Sequence, residues 1–459
     1  MRRVAPTLAL VSVLVGCSMP TEPGTDPDID KFPYVLSPQG VRVFGTSRIL
    51  LIPAQFADGL PVPLTQAALR ERFFGSPGLL TETYRLASGA GFTLRGDVAP
   101  WFKSSLTLAA ARGPGVLTNS GEGDYVAEAI LAAGETLDFG LYDNDGPDGK
   151  PNSGDDDGLV DGGVVVLNSE FNLYCNNGTG RGPHPHALPK WRINSAGALF
   201  DTRAPRTGGG FIAVGGYVVM SAVGCSTTGN ITPTLAHELG HLLFGLPDLY
   251  QNFGASVTEP WTVRRWVLGC WELMAAGSGW GCGAGTPSYD GRVGTFGAWT
   301  RMTVGWVQPT VIPVDHDASY DLFSLGHGGT VLPLPIRANE YLLLEYREPG
   351  PGDGLPPAAG VLVYHVADTL PAFPPTATKF SKVNLIEADD DDGLTRTELE
   401  GGNRGVAADA FGVTRTALRP GEHSRFTAID GSPLPFEILE ITLSPAQHKA
   451  RLRVAPINP

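Results

Sequence analysis

Residues 232–244 read TPTLAHELGHLLF, and no other segment says as much about the architecture of this chain. Leucines recur at three- and four-residue spacing, which predicts an amphipathic helix with one buried side. Thr232 suits the N-cap position, and Pro233 suits the first helical position, where a missing N–H costs nothing. Gly245 and then Pro247 predict the end of this helix.

Two histidines of the predicted helix have the spacing of metal ligands. His237 and His241 are four residues apart, so their imidazoles share one helix face and can hold a single cation. Glu238 follows the first histidine and can act as a general base on a water at that cation. Two nitrogen ligands, an open coordination position and a base predict a zinc hydrolase. An ordinary amphipathic helix that happens to carry two histidines is the alternative.

The sequence after the helix offers a third ligand and a floor for the site. Residues 242–250 read LLFGLPDLY and place Asp248 after a turn-forming glycine, as in metzincin peptidases. A loop carboxylate that caps the turn is the alternative for Asp248. Residues 271–278, WELMAAGS, resemble the methionine turn that lies beneath such a zinc, with Met274 as its methionine.

Together these motifs resemble the peptidases of the immune inhibitor A family. Upstream, residues 82–89 (ETYRLASG) and 96–102 (GDVAPWF) are similar to the family's early strand region. Downstream, residues 340–347 (EYLLLEYR) and 360–366 (GVLVYHV) resemble the segment that follows its catalytic domain. The blocks occur in the family's order across most of the chain.

The resemblance implies an α/β zincin-like catalytic domain, with a mixed sheet and an active-site helix, in which His237, His241 and Asp248 hold zinc. One spacing departs from the family. The glycine and the aspartate follow the second histidine by four and seven residues here, against three and six in the family. An extra helical residue, near Phe244, rotates the residues after it by about 100°. Either the loop absorbs this insertion or the third ligand is displaced.

The chain divides into four predicted parts. We expect a lipoprotein signal peptide at 1–16, a flexible tether at 17–38 and a zinc metallopeptidase domain at 39–312. Strand-like runs separated by glycine and proline then predict a C-terminal all-β, sandwich-like domain at 313–459.

An acidic segment predicts a second kind of cation site. Residues 143–161 read DNDGPDGKPNSGDDDGLVD. Alternating oxygen ligands interrupted by glycine suit a hard cation with many oxygen ligands, so calcium is favoured over magnesium. The candidate ligands are Asp143, Asp145, Asp148, Asp155, Asp157 and Asp161. A solvated turn without an ion is the alternative, and we interpret the weaker acidic run at 389–392 in that way.

Four cysteines lie in the body of the chain, and an even number predicts two disulfides with three possible connectivities. Cys270 and Cys282 bracket the residues of the methionine turn and are predicted to pair, which leaves Cys175 with Cys225. A structural zinc is the competing use of cysteines, but neither pair has the close spacing of zinc ligands.

The N-terminus resembles a bacterial lipoprotein signal. Two arginines precede an apolar run at residues 8–15, which is too short to span a bilayer, and the run ends in LVGC at residues 14–17. The resemblance implies cleavage before Cys17 and acylation of its thiol. Ser18 follows, which favours the outer membrane over the inner one. A secretory signal that happens to contain a cysteine is the alternative. The chain is therefore expected outside the cytoplasm, with a lipid as its only membrane attachment.

The composition excludes some partners. A formal charge of −14 and the lack of a basic patch argue against nucleic-acid binding. The remaining histidines carry weaker signals. We interpret His184 and His186 as surface residues of a loop, and His365 as a hydrogen-bonded interior residue of a strand.

These observations predict a secreted or surface-anchored zinc endopeptidase that acts on protein or peptide substrates, is a monomer, and uses Glu238 as its base. A non-catalytic surface lipoprotein that binds a glycan or a host protein through the same fold is the main alternative. A zinc hydrolase with non-peptide substrates is a third possibility.

Overall fold

The computed structural model describes residues 34–75, 78–112, 119–172, 175, 186–188, 199–226, 229–252, 263–278, 282, 294–350, 356–372 and 380–457. The predicted signal peptide, Cys17 and His184 lie outside these residues. Within them, no helix is long and apolar enough to cross a membrane.

The helices and strands of the described residues alternate first and then give way to strands. The helices are α1 (Gln66–Phe74), α2 (Leu79–Ala87), α3 (Leu108–Arg112), α4 (Asn119–Gly134), α5 (Thr232–Phe244) and α6 (Ala298–Val304). The strands are β1 (Gly45–Gln55), β2 (Phe92–Val98), β3 (Phe102–Lys103), β4 (Val164–Asn168), β5 (His186–Leu188), β6 (Phe200–Pro205), β7 (Phe211–Val214), β8 (Tyr217–Ser221), β9 (Gln251–Asn252), β10 (Arg264–Arg265), β11 (Ala318–Phe323), β12 (Leu332–Arg337), β13 (Glu340–Arg347), β14 (Gly360–Ala367), β15 (Val383–Ile386), β16 (Phe436–Ser444) and β17 (Lys449–Pro456).

The first sheet is mixed. Its strand order is β2-β1-β4-β8-β5, and β3 pairs with the far end of β1. The pairs within it are parallel except for β5, which runs antiparallel to β8 at one edge. The prediction of a mixed α/β architecture is confirmed at this level, and the more specific zincin likeness stays a prediction.

Alternate residues of the central strands pack on opposite faces of this sheet. In β4, Val165 and Leu167 belong to the core that contains α5, whereas Val164 and Val166 belong to the core that contains α4. Because helices cover both faces, the residues on each side are apolar and the strand becomes one continuous apolar run.

The second half of the chain is rich in antiparallel strands. One sheet has three strands in the order β11-β17-β16, and another has four in the order β12-β13-β14-β15. Leu342 and Leu344 of β13 share a core with Leu452 and Val454 of β17. Both sheets therefore contribute to one hydrophobic core, and the predicted sandwich arrangement stays a prediction.

The four-stranded sheet is apolar on its other face too. Leu343 of β13, with Leu362 and Tyr364 of β14, belongs to the same core as Ala298 of α6 and the whole apolar side of α5. That core therefore includes residues on both sides of position 312. The predicted domain boundary stays a prediction, and the core around α5 is shared by residues on both sides of it.

Candidate metal centre

Helix α5 provides the backbone of the site. Its first residue is Thr232, and Ile231 is in the N-cap position. The prediction placed Thr232 at the N-cap, so the helix starts one residue earlier than predicted. It ends at Phe244, and the next residue, Gly245, adopts left-handed angles (φ 66°, ψ 22°) and donates its N–H to the carbonyls of Gly240 and His241. This left-handed backbone conformation favours glycine, because glycine has no Cβ that would clash with the backbone.

The two histidine rings meet on one face of this helix. Their Nε2 atoms are 3.2 Å apart, and the rings are perpendicular to one another. His237 Nδ1 is 2.9 Å from the carbonyl oxygen of Leu273, and His241 Nδ1 is 2.5 Å from that of Leu246. A carbonyl only accepts, so each Nδ1 carries the proton and each neutral ring presents an unprotonated Nε2 to the other.

Asp248 lies beside both of these nitrogen atoms. Its Oδ1 is 2.9 Å from His237 Nε2 and 3.2 Å from His241 Nε2. The extra residue extends α5 through Phe244, and the turn at Gly245 brings the chain back so that the N–H of Leu246 reaches the Gly240 carbonyl at 3.2 Å. The loop thus absorbs the insertion without moving the carboxylate away from the histidines.

The residues present fit a zinc ion. With both rings neutral, three acceptor atoms converge, and Asp248 Oδ1 is buried without a hydrogen-bond donor among the described residues. A cation satisfies all three at once. Two imidazole nitrogens and one carboxylate oxygen, with a fourth position open, form a donor set that suits catalytic zinc.

Without a metal, a proton takes the cation's role. Burial lowers the pKa of His241, but hydrogen bonding to Asp248 and the charges of Asp248 and Glu238 outweigh it and raise the pKa to about 9. Burial would also raise the pKa of Asp248, yet the two histidines hold that pKa well below its usual range. Protons and metal therefore compete for this site at neutral pH.

Glu238 lies in the middle of α5, directly after the first histidine. Its side chain is buried, although it carries a carboxyl group. Its negative charge contributes to the raised pKa of His241 and also to that of Tyr250. The carboxyl group is therefore within electrostatic reach of the point where the ligands converge.

The segment around Met274 lies directly beneath α5. A Cβ added to Gly240 would lie 2.6 Å from Met274 Sδ, so the helix and this segment touch where the glycine leaves room. The N–H of Leu249 donates to the Met274 carbonyl at 2.7 Å. A disulfide joins Cys270 to Cys282 on either side of this contact. The segment around Met274 and the loop that carries Asp248 are thus fixed to one another.

Tyr250 is a part of the site that the sequence motifs did not reveal. Its ring stacks on His237, with centroids 6.3 Å apart and planes 24° from parallel, and the Arg264 guanidinium lies 4.6 Å from its centroid. Burial raises the pKa of its phenol, and the charge of Asp248 raises it further. The only sequence signal is its position two residues after the candidate ligand.

The acidic segment divides into a buried group and an exposed one. Asp143, Asp145 and Asp161 are buried, and their carboxylate oxygens lie within 4.8 Å of one another. The other three predicted ligands, Asp148, Asp155 and Asp157, are exposed and do not belong to this group.

The buried carboxyl groups of this segment are electrostatically crowded. Burial, together with the charges of Asp156, Asp157 and Asp145, raises the pKa of Asp143 to about 7. Burial likewise raises the pKa of Asp161 well above its usual value. Asp143 Oδ2 has no hydrogen-bond donor among the described residues. A hard cation with oxygen ligands would relieve both the repulsion and the missing contact.

Asp156, which the motif did not single out, has a local role. It is buried, and its carboxylate accepts from the backbone N–H groups of Gly146 and Ser153, each at 2.7 Å. This carboxylate therefore folds the loop around the buried group.

Among the described residues, the other cysteines and histidines named in the sequence analysis have partners close to them in the structure. Cys175 and Cys225 form the second disulfide. His186 is 2.9 Å from the carboxylate of Glu122, and the buried His365 is 2.8 Å from Glu340.

In the acidic run 389–392, alternate residues have different partners. Asp390 accepts from Ser424, and Asp392 pairs with Arg425 at 2.6 Å. Asp389 and Asp391 instead lie beside Glu387. In this group of three acidic residues, Glu387 is buried and the two aspartates are exposed.

The sequence of the chain matches a known protein family. The sequence model described as immune inhibitor A peptidase M6, catalytic domain, matches residues 78–307, which is half of the chain. The matched range contains α5, Asp248 and Met274. No curated protein matches the chain.

Removal of the third acceptor tests the geometry of this centre. We expect Asp248→Ala to weaken zinc binding by more than ~100-fold, because even loss of a residue that only orients a ligand costs 10–100-fold. Asp201→Ala, at an exposed position of β6, is the matched control and should bind zinc like the parent. Competition titration against a zinc chelator measures both. Equal affinities for the two variants would exclude Asp248 as a ligand.

The raised pKa of His241 predicts how zinc binding depends on pH. Below about pH 9 the metal-free ring is protonated, so zinc must displace that proton, and the apparent Kd should fall about tenfold per pH unit between pH 6 and 8. In Asp248→Ala the carboxylate that raises the pKa is absent, so the slope should flatten above pH 7. Chelator competition at several pH values measures it, and a flat parent profile would contradict the linkage.

Proposed function

The chain belongs to the immune inhibitor A family of peptidases, and on that premise we propose that it is an exported, zinc-dependent endopeptidase that hydrolyses protein substrates. The observation that carries the proposal is the convergence of His237 Nε2, His241 Nε2 and Asp248 Oδ1 within 3.2 Å of one another. Membership supports a metallopeptidase. The donor set supports zinc as its metal.

Each residue of the centre has a distinct part in the proposed mechanism. His237, His241 and Asp248 would hold the zinc, which would lower the pKa of water toward about 7 and polarise the scissile carbonyl. Glu238 takes the proton from the attacking water and passes it to the leaving amine. Tyr250 orients the ligands, because its ring stacks on His237 and its phenol lies within the electrostatic reach of Asp248.

The supports of the ligands suit this mechanism. The Leu273 and Leu246 carbonyls accept the Nδ1 protons of the two histidines, which directs both Nε2 lone pairs toward the metal position. Met274 packs against Gly240 and so supports the helix from below. We retain the zincin-like fold of residues 39–312 and the sandwich-like fold of residues 313–459 as part of the proposal.

We also propose that the mature protein begins at Cys17, lipidated after removal of residues 1–16, and that residues 17–38 tether it to a membrane. Two disulfides support an oxidising compartment. Protein or peptide substrates follow from the family, and a monomeric state stays part of the proposal.

The buried acidic group is proposed to bind calcium. Asp143, Asp145 and Asp161 would supply its oxygens, and Asn144 Oδ1, which is buried without a partner among the described residues, could add another. Buried carboxylates that raise each other's pKa are stable as anions when a cation shares their space. The site would stiffen the loop that precedes β4.

Loss of the general base tests catalysis. Glu238→Ala should keep the zinc content of the parent and lose 10²-fold or more in casein digestion, which is about the scale of general-base catalysis. Glu135→Ala, an exposed glutamate directly after α4, is the control and should retain activity.

Two outcomes would contradict the proposed mechanism. Digestion by Glu238→Ala at the parent rate would rule out its role as the base. A parent protein that binds zinc but digests nothing, with or without chelator, would favour the non-catalytic binding protein.

Calcium dependence tests the acidic group. Millimolar calcium should raise the Tm of the parent, because a ligand that binds only the native state stabilises it by mass action. Asp145→Ala with Asp161→Ala should abolish the rise without changing zinc content, whereas Asp155→Ala, on the exposed side of the segment, should preserve it. A parent Tm that ignores both calcium and chelator would rule out the site.

A further inference from the structure

A second cluster of metal-ligating side chains lies in the β-rich half, outside the residues that the family model matches. It is built from three loops that are distant in sequence. His327 ends a short 3₁₀ turn after β11, Glu348 directly follows β13, and His448 lies in the turn between β16 and β17. Backbone contacts join these loops, since the N–H of Ser324 donates to the His448 carbonyl at 2.9 Å.

The two imidazoles face one carboxylate oxygen. Glu348 Oε1 is 2.7 Å from His448 Nδ1 and 3.2 Å from His327 Nδ1. The rings stack, with centroids 3.6 Å apart and planes 11° from parallel, so one ring must turn before both in-plane Nδ1 lone pairs can point at the same ion. Both side chains are partly exposed and have room to turn. Three ligand atoms from three loops thus lie within 4.8 Å of one another.

Ser324 adds a further polar group to this crowded cluster. Its Oγ lies 3.2 Å from Glu348 Oε1 and 2.9 Å from His327 Nδ1, and its single proton can be donated to only one of them. Tyr346 Oη donates to the other carboxylate oxygen, Oε2, at 3.2 Å. A cation at Oε1 removes the crowding, because both Nδ1 atoms then act as acceptors toward it.

We propose that His327, Glu348 and His448 form a second zinc site with a structural role. Two imidazoles and a carboxylate are a zinc donor set. In tetrahedral coordination, with bonds of about 2.1 Å, ligand atoms lie about 3.4 Å apart. The longer of the two nitrogen–oxygen distances is close to this value, whereas the shorter one must lengthen as one ring turns toward the ion.

The surroundings of Glu348 suit this role. Its side chain is 9% exposed and is oriented by Tyr346, whereas those of His327 and His448 are 38% and 48% exposed. The metal can therefore enter from solvent, and water can complete its coordination. Because β11 and β17 belong to one sheet and β13 to the other, the ion would cross-link the two sheets.

The test uses the full chain with the first centre disabled by His237→Ala and His241→Ala. After chelator treatment, this variant should still bind one zinc per chain at micromolar free zinc, and its Tm should rise on zinc addition. The further change His448→Ala should weaken that binding by more than ~100-fold and abolish the rise, because it removes a direct ligand. His316→Ala, at an exposed histidine that pairs with its neighbour Asp315, should change neither.

The unaltered chain provides an independent count. In a chain that keeps His237 and His241, the substitution His448→Ala should lower the zinc content by one ion per chain. The content falls from two to one if the first centre binds zinc, and from one to none if it does not. The two proposals can therefore fail separately. If His448→Ala does not fold, His327→Ala replaces it, and the metal-free Tm identifies such a loss. The proposal is overturned if His448→Ala, or His327→Ala in its place, has the same zinc content and the same Tm response to zinc as the parent.

Discussion

Two backbone carbonyl groups determine what the histidines of α5 can do. The Leu273 and Leu246 oxygens accept the Nδ1 protons of His237 and His241, so both Nε2 atoms face Asp248 and can bind a cation once the second proton of His241 is displaced. If either ring took the other tautomer, a proton would fill the space between the ligands. The carbonyls come from two segments that follow the helix in sequence. The site therefore exists only when the helix, the ligand loop and the methionine segment have all folded together.

The sequence predicted those parts whose chemistry resides in side chains with regular spacing. The i, i+4 histidines and the leucine spacing defined α5 to within one residue. The partners of the imidazoles were not predictable, because every residue has a carbonyl and only the fold selects Leu273 and Leu246. Tyr250 was missed for a related reason, since ring stacking has no sequence period. In the acidic segment, spacing could not separate the buried Asp161 from the exposed Asp157.

The second half of the chain supports the first more closely than a linear division into domains suggests. Arg347 at the end of β13 donates to the Trp271 carbonyl at 3.0 Å, and the Trp271 indole donates to Asp409 at 2.8 Å. The N–H of Cys270 donates to the Arg404 carbonyl at 2.7 Å. Each contact fixes the segment that leads into Met274. Because the four-stranded sheet is apolar on both faces, it serves both its own core and this floor.

The close approach of Gly240 to Met274 makes two positions of the chain mutually dependent during evolution. In the histidine motif, the two residues between Glu238 and His241 are open to variation in principle. Here a methyl group at position 240 would meet the methionine sulfur at 2.6 Å, in a core with no exposed face to yield toward. A larger residue at 240 would thus require the buried Met274 side chain to shift or to become smaller. The order in which such changes could accumulate is therefore restricted, and homologous sequences should show the two sites varying together.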